Sequence, residues 1–303
     1  MLETRDRVEP WRPARAVAVR GGPWLLAAVG QFARRRPLGA LGGVIIVGLG
    51  LAALLAPLIA PYDPLETNFL AMLRPPSREF LFGTDAFGRD VLSRLIYGAR
   101  TALLIGFTSS ILGASLGALL GTVSAYFGGK VDLLLQRVMD IFLSFPLIVL
   151  ALGVVAVLGT GVLNVILAIA VPIVPQVARV VRASALSVRA MPYVEAARAV
   201  GAGHWRIIAR HMLPNVMAPY LIMLTAFLGQ AILLEASLSF LGLGVAEPTP
   251  AWGLMLRGAG VQFAERAPWL AIAPGLAISI TVFAFNLFGD ALRDALDPRL
   301  RVV

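Results

Sequence analysis

The chain lacks cysteine and contains few charged residues of either sign. With no cysteine among its 303 residues, disulfide bonds, thiolate metal sites and cysteine nucleophiles are excluded. Only 14% of the residues are charged, 58% are hydrophobic, and the mean hydropathy is +0.83. This composition excludes a soluble globular domain and a disordered chain, and it indicates a protein that crosses a membrane several times.

Lysine and histidine are also scarce, because 25 of the 26 basic residues are arginine and there are only two histidines. The net charge of +9 raises the question of a nucleic-acid partner. Most arginines, however, flank apolar stretches instead of forming a separate polar domain. We interpret the charge as a determinant of membrane topology and expect no nucleic-acid partner. His204 and His211 lack metal-ligand spacing, so no metal site is expected.

Six apolar stretches are long enough to cross a bilayer, which requires about 20 helical residues each. They predict an all-α polytopic fold with transmembrane helices over residues 38–60, 101–126, 138–158, 162–178, 216–242 and 269–290. Only Gly159-Thr160-Gly161 separates the third stretch from the fourth, which predicts a tight hairpin turn there.

The distribution of arginine and lysine sets the orientation of these spans. If the N-terminus is inside, the cytoplasmic segments are 1–37, 127–137, 179–215 and 291–303, and they hold 19 of the 26 basic residues. The positive-inside rule therefore predicts that both termini face the cytoplasm. The apolar stretch after residue 37 is too long for a signal-peptide core, so we expect it to be retained as the first span.

This topology predicts the organisation of the chain. The predicted parts are an arginine-rich N-terminal segment, the first transmembrane helix, an external loop, a transmembrane core and a cytoplasmic tail. They cover residues 1–37, 38–60, 61–100, 101–290 and 291–303.

Small residues recur every four positions along the second predicted span. They are Ser109, Gly113, Gly117 and Gly121, followed by Ala125. Residues spaced in this way share one face of a helix, and small side chains let the backbone of a second membrane helix approach closely. The pattern predicts a helix-packing face.

Polar side chains are rare inside the predicted spans, and Glu235 is the most prominent. A carboxylate at the centre of a bilayer costs roughly 2.5–3.5 kcal/mol on insertion scales, so it should face protein or water. Glu235 is a candidate pathway or subunit-contact residue, or it marks the outer end of its helix. Gln230 and Asn286 are similar but weaker candidates.

No hydrolytic or nucleotide-binding chemistry is apparent. Residues 113–117 match G-x-S-x-G, but that motif requires a strand-turn-helix elbow with a partnering base, and here it lies within an apolar helix. Gly129-Lys130 lacks the earlier glycine and the following Ser or Thr of a phosphate-binding loop. We therefore expect no catalytic residues, no bound cofactor and no ATP site in this chain.

The basic segment 179–214 lies between two apolar stretches and is built to be helical. Pro192 suits a first helical turn, and Glu195 one turn later is favourable near the positive end of a helix. Gly201 can end that helix in the left-handed conformation. An amphipathic helix then covers 204–211, and Pro214 ends that segment or opens the next. The segment predicts a cytoplasmic helix-turn-helix docking element.

The residue pattern of this segment resembles the motif of a known family. Glu195-Ala196-Ala197, followed by Gly201 and Leu213-Pro214, resembles the EAA loop of ATP-binding-cassette (ABC) importer permeases. The runs that resemble the dipeptide/oligopeptide/nickel branch of that family are residues 82–100, 235–244, 250–253 and 285–298. The short connection between the first span and Gly83-Thr84-Asp85 is similar to the C-type subunit of the permease pair.

The resemblance implies a type I importer permease of a bacterial or archaeal inner (cell) membrane. Such a permease pairs with a homologous B-type subunit, two cytoplasmic ABC ATPases drive the pair, and an extracytoplasmic solute-binding protein delivers the substrate. ATP and Mg bind to the ATPases. The EAA loop lies in a groove of the ATPase and transmits its movement to the membrane helices.

The resemblance also implies roles for individual residues. The coupling residues would be Glu195, Ala196, Ala197, Gly201, Leu213 and Pro214. A side chain at Gly201 would disturb the turn, and the two alanines would permit close approach. Glu195 either pairs with a basic group of the ATPase or caps its own helix.

The substrate is less constrained, because this branch handles peptides, nickel chelates, glutathione and some sugars. We expect di- or oligopeptides from family frequency alone. The alternative function is an ion- or proton-coupled secondary transporter that uses Glu235 as its carrier of charge. A membrane receptor or assembly scaffold is a third class. Neither alternative requires a groove-fitting cytoplasmic helix.

Overall fold

The computed structural model describes residues 24–263 and 265–296. Most of the predicted N-terminal segment and cytoplasmic tail lie outside the described residues, as do Asp297 and Pro298 of the last family motif. The chain separates into two compact units, residues 1–37 and 38–303. Helix α1, Trp24–Arg35, belongs to the first unit.

The described residues form helices and connecting loops, with one isolated antiparallel bridge between Thr84 and Asp90. After α1, the α-helices are α2 (Pro37–Leu54), α3 (Ala56–Ile59), α4 (Val91–Phe127), α5 (Gly129–Leu143), α6 (Leu147–Leu158), α7 (Val162–Arg189), α8 (Pro192–Ala199), α9 (His204–Ile207), α10 (Met217–Phe240), α11 (Trp252–Met255) and α12 (Trp269–Leu296).

Five helical segments are long and apolar enough to cross a membrane. They are α2, α4, α7, the continuous segment His204–Phe240 that contains α9 and α10, and α12. A sixth crossing results if the bent pair α5–α6 counts as one span. The predicted all-α polytopic fold is thus confirmed.

The third predicted span, 138–158, is not a single straight helix. It is broken between α5 and α6 at Ser144-Phe145-Pro146, and the two helices meet at 93°. Pro146 has no N–H to continue the hydrogen-bond ladder, and its ring conflicts with the preceding turn. The 12 residues of α6 extend about 18 Å, which is shorter than the ~30 Å hydrocarbon core.

Two other predicted spans are shorter than the helices that the structure shows. Helix α4 begins at Val91, so the last ten residues of the predicted external loop are helical. Asp90 caps this end, because its Oδ2 accepts a hydrogen bond from the Ser93 amide at 2.8 Å. Helix α7 continues to Arg189, beyond the predicted end at residue 178. In both places arginines lower the hydropathy although the helix continues.

The small-residue face of α4 packs against α7. A Cβ atom built on Gly117 would lie only 2.6 Å from the carbonyl oxygen of Val174, and Gly113 and Gly121 approach α7 backbone oxygens in the same way. Ser109 is fully buried and donates its hydroxyl to the carbonyl one turn earlier. These contacts bring the two helix backbones closer than larger side chains would allow.

The motif at residues 82–100 holds the loop before α4 in place. The Asp85 carboxylate lies 2.7 Å from Arg89 Nε and 3.7 Å from Arg94 Nε, and all three side chains are buried. The Trp269 indole N–H, at the start of α12, donates to the carbonyl of Thr84 at 3.3 Å. The motif therefore joins the N-terminal ends of α4 and α12.

We expect Gly117→Ala to destabilise the folded permease by about 1–3 kcal/mol, because the added methyl group overpacks the contact between α4 and α7. Gly48→Ala in α2 makes the same chemical change where a Cβ atom meets nothing within 4 Å. It should be neutral or slightly stabilising. Unfolding of the two purified variants in detergent measures the difference, and equal stability of both would contradict close α4–α7 packing.

Candidate functional site

Helix α8 is a short helix between the C-terminal end of α7 and α9, and a glycine turn ends it. Pro192 occupies its first position. At the other end, Gly201 has φ +79°. Its amide donates to the carbonyl of Arg198 at 2.9 Å, and the amide of Ala202 donates to that of Ala197 at 3.0 Å. This pair of bonds is a Schellman motif.

The two sides of α8 differ in exposure. Val194 and Ala197 are buried against the rest of the chain, whereas Glu195 and Ala196 are exposed. The two alanines of the motif therefore point to different sides of the helix. The Glu195 carboxylate has neither a hydrogen-bond nor an ion-pair partner among the described residues, so it does not cap its own helix.

Exposed apolar side chains surround this outer side. Tyr193 is 42% exposed, Val200 is 83% exposed and Trp205, at the start of α9, is 66% exposed. A Cβ atom on Gly201 would meet nothing within 4 Å, so the glycine is required by its left-handed backbone and not by a steric contact within this chain.

Beneath α8, Tyr126 at the end of α4 connects three elements. It is 4% exposed, its hydroxyl lies 2.8 Å from His204 Nδ1, and the Arg198 guanidinium lies 4.9 Å from the centroid of its ring. The sequence reasoning missed this residue. Its position could have indicated a contact residue, because it follows the small-residue face of α4 and lies just before Gly128.

Charged side chains fasten the same region to α4 and α5. Arg189 Nη1 donates to the carbonyl of Ala125 at 2.9 Å, which places a cation at the C-terminal end of α4. Arg182 Nε donates to Asp132 Oδ1 at 2.6 Å, and the Ser124 hydroxyl bonds to the same carboxylate. The C-terminal parts of α4 and α7 and the first turn of α5 are thus joined by charged hydrogen bonds.

Leu213 and Pro214 lie away from the outer side of α8, in the connection from α9 to α10. That connection is a π-helical turn, Ile208–Met212, followed by a 3₁₀ turn, Leu213–Val216. Pro214 has no N–H and would clash with the carbonyl four residues earlier in a regular α-helix. The irregular turns accommodate it, so Pro214 does not separate two helices but lies within one continuous segment.

Glu235 is enclosed inside the helix bundle at 1% exposure. Its Oε1 accepts a hydrogen bond from the Ser239 hydroxyl at 2.8 Å, and Oε2 has no partner. Gln230 and Asn286 are exposed instead. Asn286 lines a cavity of about 870 Å³ between α7, α10 and α12. The three polar candidates are therefore not brought together.

Two family models match the chain. Residues 113–302 match the family described as the binding-protein-dependent transport system inner membrane component. Residues 29–76 match the N-terminal transmembrane domain of oligopeptide transport permease C.

Relatives match along most of their length. A putative peptide transport system permease protein of Brucella suis is 47% identical over 272 residues, which cover 90% of this chain and 91% of the relative. The di/tripeptide transport system permease protein DppC of Pseudomonas aeruginosa is 46% identical, covering 87% and 89%. The glutathione transport system permease protein GsiD of Escherichia coli is 42% identical, covering 88% of each chain.

A solved structure of the MetNI methionine ABC transporter in inward-facing conformations shares the fold. The match has a TM-score of 0.52 at 20% identity and covers 67% of this chain and 96% of the solved chain. The motif resemblance is thus confirmed by a family model that spans more than half of the chain and by relatives above 40% identity. The chain belongs to the family of binding-protein-dependent transport system inner membrane components.

Proposed function

We propose that this permease forms one half of the translocation pathway in an ATP-driven importer of di- and oligopeptides. The observation that carries the proposal is α8, which exposes one side on the cytoplasmic face while its other side is buried in the bundle. A helix held in this way transmits a force applied to its exposed side.

The docking surface of α8 consists of Tyr193, Glu195, Ala196 and Val200, and it suits a groove in an ATPase. Ala196 allows the wall of the groove to approach the helix backbone. Covering the Val200 side chain, which is 83% exposed, contributes up to about 1.5–3 kcal/mol, and Tyr193 adds less because more than half of it is already buried. Glu195 has no partner within the chain, so it is available to a basic group of the ATPase.

Movement of α8 reaches the membrane helices through the contacts beneath it. Helix α7 continues into α8 after only two residues, and Tyr126 connects α8 and α9 to α4. The π-helical turn connects the same region to α10. Closure of the ATPases on ATP would therefore move α4, α7 and α10 together, as a rigid-body change between inward- and outward-facing states.

The partners follow from this mechanism. A homologous B-type permease supplies the other half of the pathway, two cytoplasmic ABC ATPases bind ATP and Mg, and an extracytoplasmic solute-binding protein delivers the substrate. The permease itself binds no cofactor and catalyses no reaction. We place it in a bacterial or archaeal cell (inner) membrane with both termini in the cytoplasm, where 19 of its 26 basic residues then lie.

The names of the relatives support a peptide substrate. They specify peptides, di- and tripeptides, and glutathione, which is itself a short peptide. An ion-coupled transporter based on Glu235 is less well supported, because that carboxylate is enclosed at 1% exposure and no described basic side chain pairs with it.

We expect peptide uptake to require ATP hydrolysis. Proteoliposomes that contain the permease pair and its ATPases, supplied with the loaded binding protein, should accumulate a labelled dipeptide only when ATP is present on the ATPase side. An uncoupler should leave the rate unchanged. Uptake by this chain without ATPases, abolished by the uncoupler, would instead support the ion-coupled alternative.

We expect Gly201→Asp to abolish transport and the retention of ATPases on co-purification, while membrane insertion stays intact. The reason is that a side chain at φ +79° costs roughly 1–2 kcal/mol and weakens the turn that ends α8.

Gly203→Asp is the matched control, since it adds the same charge two residues away. Gly203 has φ −63° and open space around its Cβ position, and it caps α9, where aspartate is favoured. Retention of ATPases by Gly203→Asp but not by Gly201→Asp is the expected result. Equal retention by both variants would argue against α8 as the coupling element.

Tyr126→Ala should leave the ATPases bound but lower the stimulation of ATP hydrolysis by loaded binding protein several-fold. The substitution removes the cation–π contact with Arg198 and the hydrogen bond to His204, which connect α8 and α9 to α4. Tyr126→Phe keeps the ring and should have a smaller effect. Unchanged stimulation of ATP hydrolysis in Tyr126→Ala would show that the contacts of Tyr126 do not transmit the movement of α8.

A further inference from the structure

Helix α10 carries a stripe of residues that is exposed at Ala226, Gln230 and Leu233 and half-buried towards both ends of the helix. The stripe consists of residues spaced three or four apart, which therefore share one side of the helix. In order from the cytoplasmic end they are Pro219, Ile222, Ala226, Gln230, Leu233 and Ser237. Most of these side chains are apolar. The Ser237 hydroxyl is used within the helix, because it donates to the carbonyl of Leu233. Gln230, near the middle of the stripe, therefore carries its free polar group.

Two hollows border this stripe, one on each side of Gln230. The inner cavity, of about 870 Å³, opens among the cytoplasmic parts of α7, α10 and α12. The outer groove, of about 540 Å³, lies between the external halves of α10 and α12. The inner cavity includes the stripe as far as Ala226, and the outer groove includes it from Leu233 onwards. Gln230 lies between the two hollows.

The wall of the inner cavity is more polar than a surface facing lipid would be. Its polar members come from three different helices or their ends, and they are Ser184, Asn215, Asn286, Asp290 and Arg293. Amides and charges are costly in hydrocarbon, so side chains at this depth face protein or water. A hollow of this size with several polar groups holds water.

Asn286 of α12 lies against α10 at Gly229, the residue before Gln230. The Asn286 side-chain oxygen lies 3.0 Å from the position that a Cβ atom would occupy on Gly229, the neighbour of Gln230 in sequence. Because residue 229 is glycine, the α12 amide can come this close to α10. One amide side chain, that of Asn286, therefore lines the inner cavity at the level of Gly229, and the exposed amide of Gln230 follows it on α10.

We propose that the α10 stripe is this chain's wall of the translocation pathway, and that Gln230 and Asn286 bind the main chain of a passing peptide. The inference rests on the proposed importer function. A carboxamide offers both a donor and an acceptor, as does each peptide unit of the substrate. Recognition through the main chain is independent of the substrate's side chains, and neutral amides bind weakly enough to release the peptide.

The absence of cysteine allows a direct test of this wall. Gln230→Cys and Asn286→Cys are assembled with the partner subunits in nanodiscs and treated with a membrane-impermeant maleimide, with the unsubstituted complex as background. Phe283→Cys is the matched control. It lies one turn from Asn286 on α12, is 58% exposed, and lines neither hollow.

Gln230→Cys and Asn286→Cys should react about tenfold faster than Phe283→Cys, because the thiolate is the reacting species and lipid suppresses its formation. Excess transported dipeptide should slow the first two reactions and leave the third unchanged. The proposal would be overturned if Gln230→Cys reacts no faster than Phe283→Cys, or if dipeptide does not change its rate of labelling. Either result would assign the stripe to a subunit contact.

Substrate preference supplies the second measurement. Gln230→Leu should lower kcat/KM about 3- to 10-fold, the effect of one lost uncharged hydrogen bond, and by the same factor for dipeptides with different side chains. Gln230→Asn should restore most of the rate. A loss confined to one type of dipeptide would contradict main-chain recognition. If the unsubstituted complex transports no peptide at all, the proposed function fails, whereas transport without these effects overturns only the pathway assignment.

Discussion

The close approach of α4 and α7 is the contact on which the rest of the permease depends. Hydrophobic burial gives little driving force between helices that are surrounded by lipid, so their association relies on packing and on hydrogen bonds. Gly113, Gly117 and Gly121 supply that packing by leaving α7 backbone atoms at the positions where their own Cβ atoms would be. The two helices run in the same direction, and their contact continues to the C-terminal part of α4, where Asp132 and Arg182 join α5 to α7.

This paired core gives the coupling region its rigidity. Helix α8 has only eight residues, and an isolated helix of that length is unstable in water. It persists because Val194 and Ala197 pack into the core and because the Gly201 turn satisfies its last carbonyl groups. Tyr126 and Arg189 then connect the end of α4 to the region around α8. A groove that holds the outer side of α8 therefore acts on the helix pair as well as on a loop.

Much of this arrangement could be predicted from the sequence, because its determinants are local. Hydropathy located the spans, the period of four identified the packing face, and Pro192 with Gly201 delimited α8. The bend at Ser144-Phe145-Pro146 could not be predicted, since apolar residues continue on both sides of it. Tyr126 was missed for a different reason, because its partners His204 and Arg198 are more than 70 positions away in the sequence. The exposure of Gln230 and the enclosure of Glu235 depend on which side of α10 faces the bundle, and spacing alone does not decide this.

The path of α10 connects the two sites. The segment from His204 to Phe240 is one continuous helix that begins next to Tyr126 and carries the stripe along its membrane portion. Its irregular part, the π-helical turn Ile208–Met212 followed by the 3₁₀ turn Leu213–Val216, lies between the region around α8 and the stripe. Turns of this kind have weaker hydrogen-bond geometry than an α-helix and often mark hinges. In the proposed mechanism, a displacement of α8 would reach Gln230 as a tilt or rotation of α10 about these turns. Coupling and substrate passage can thus share one helix without any contact between the ATPase and the pathway.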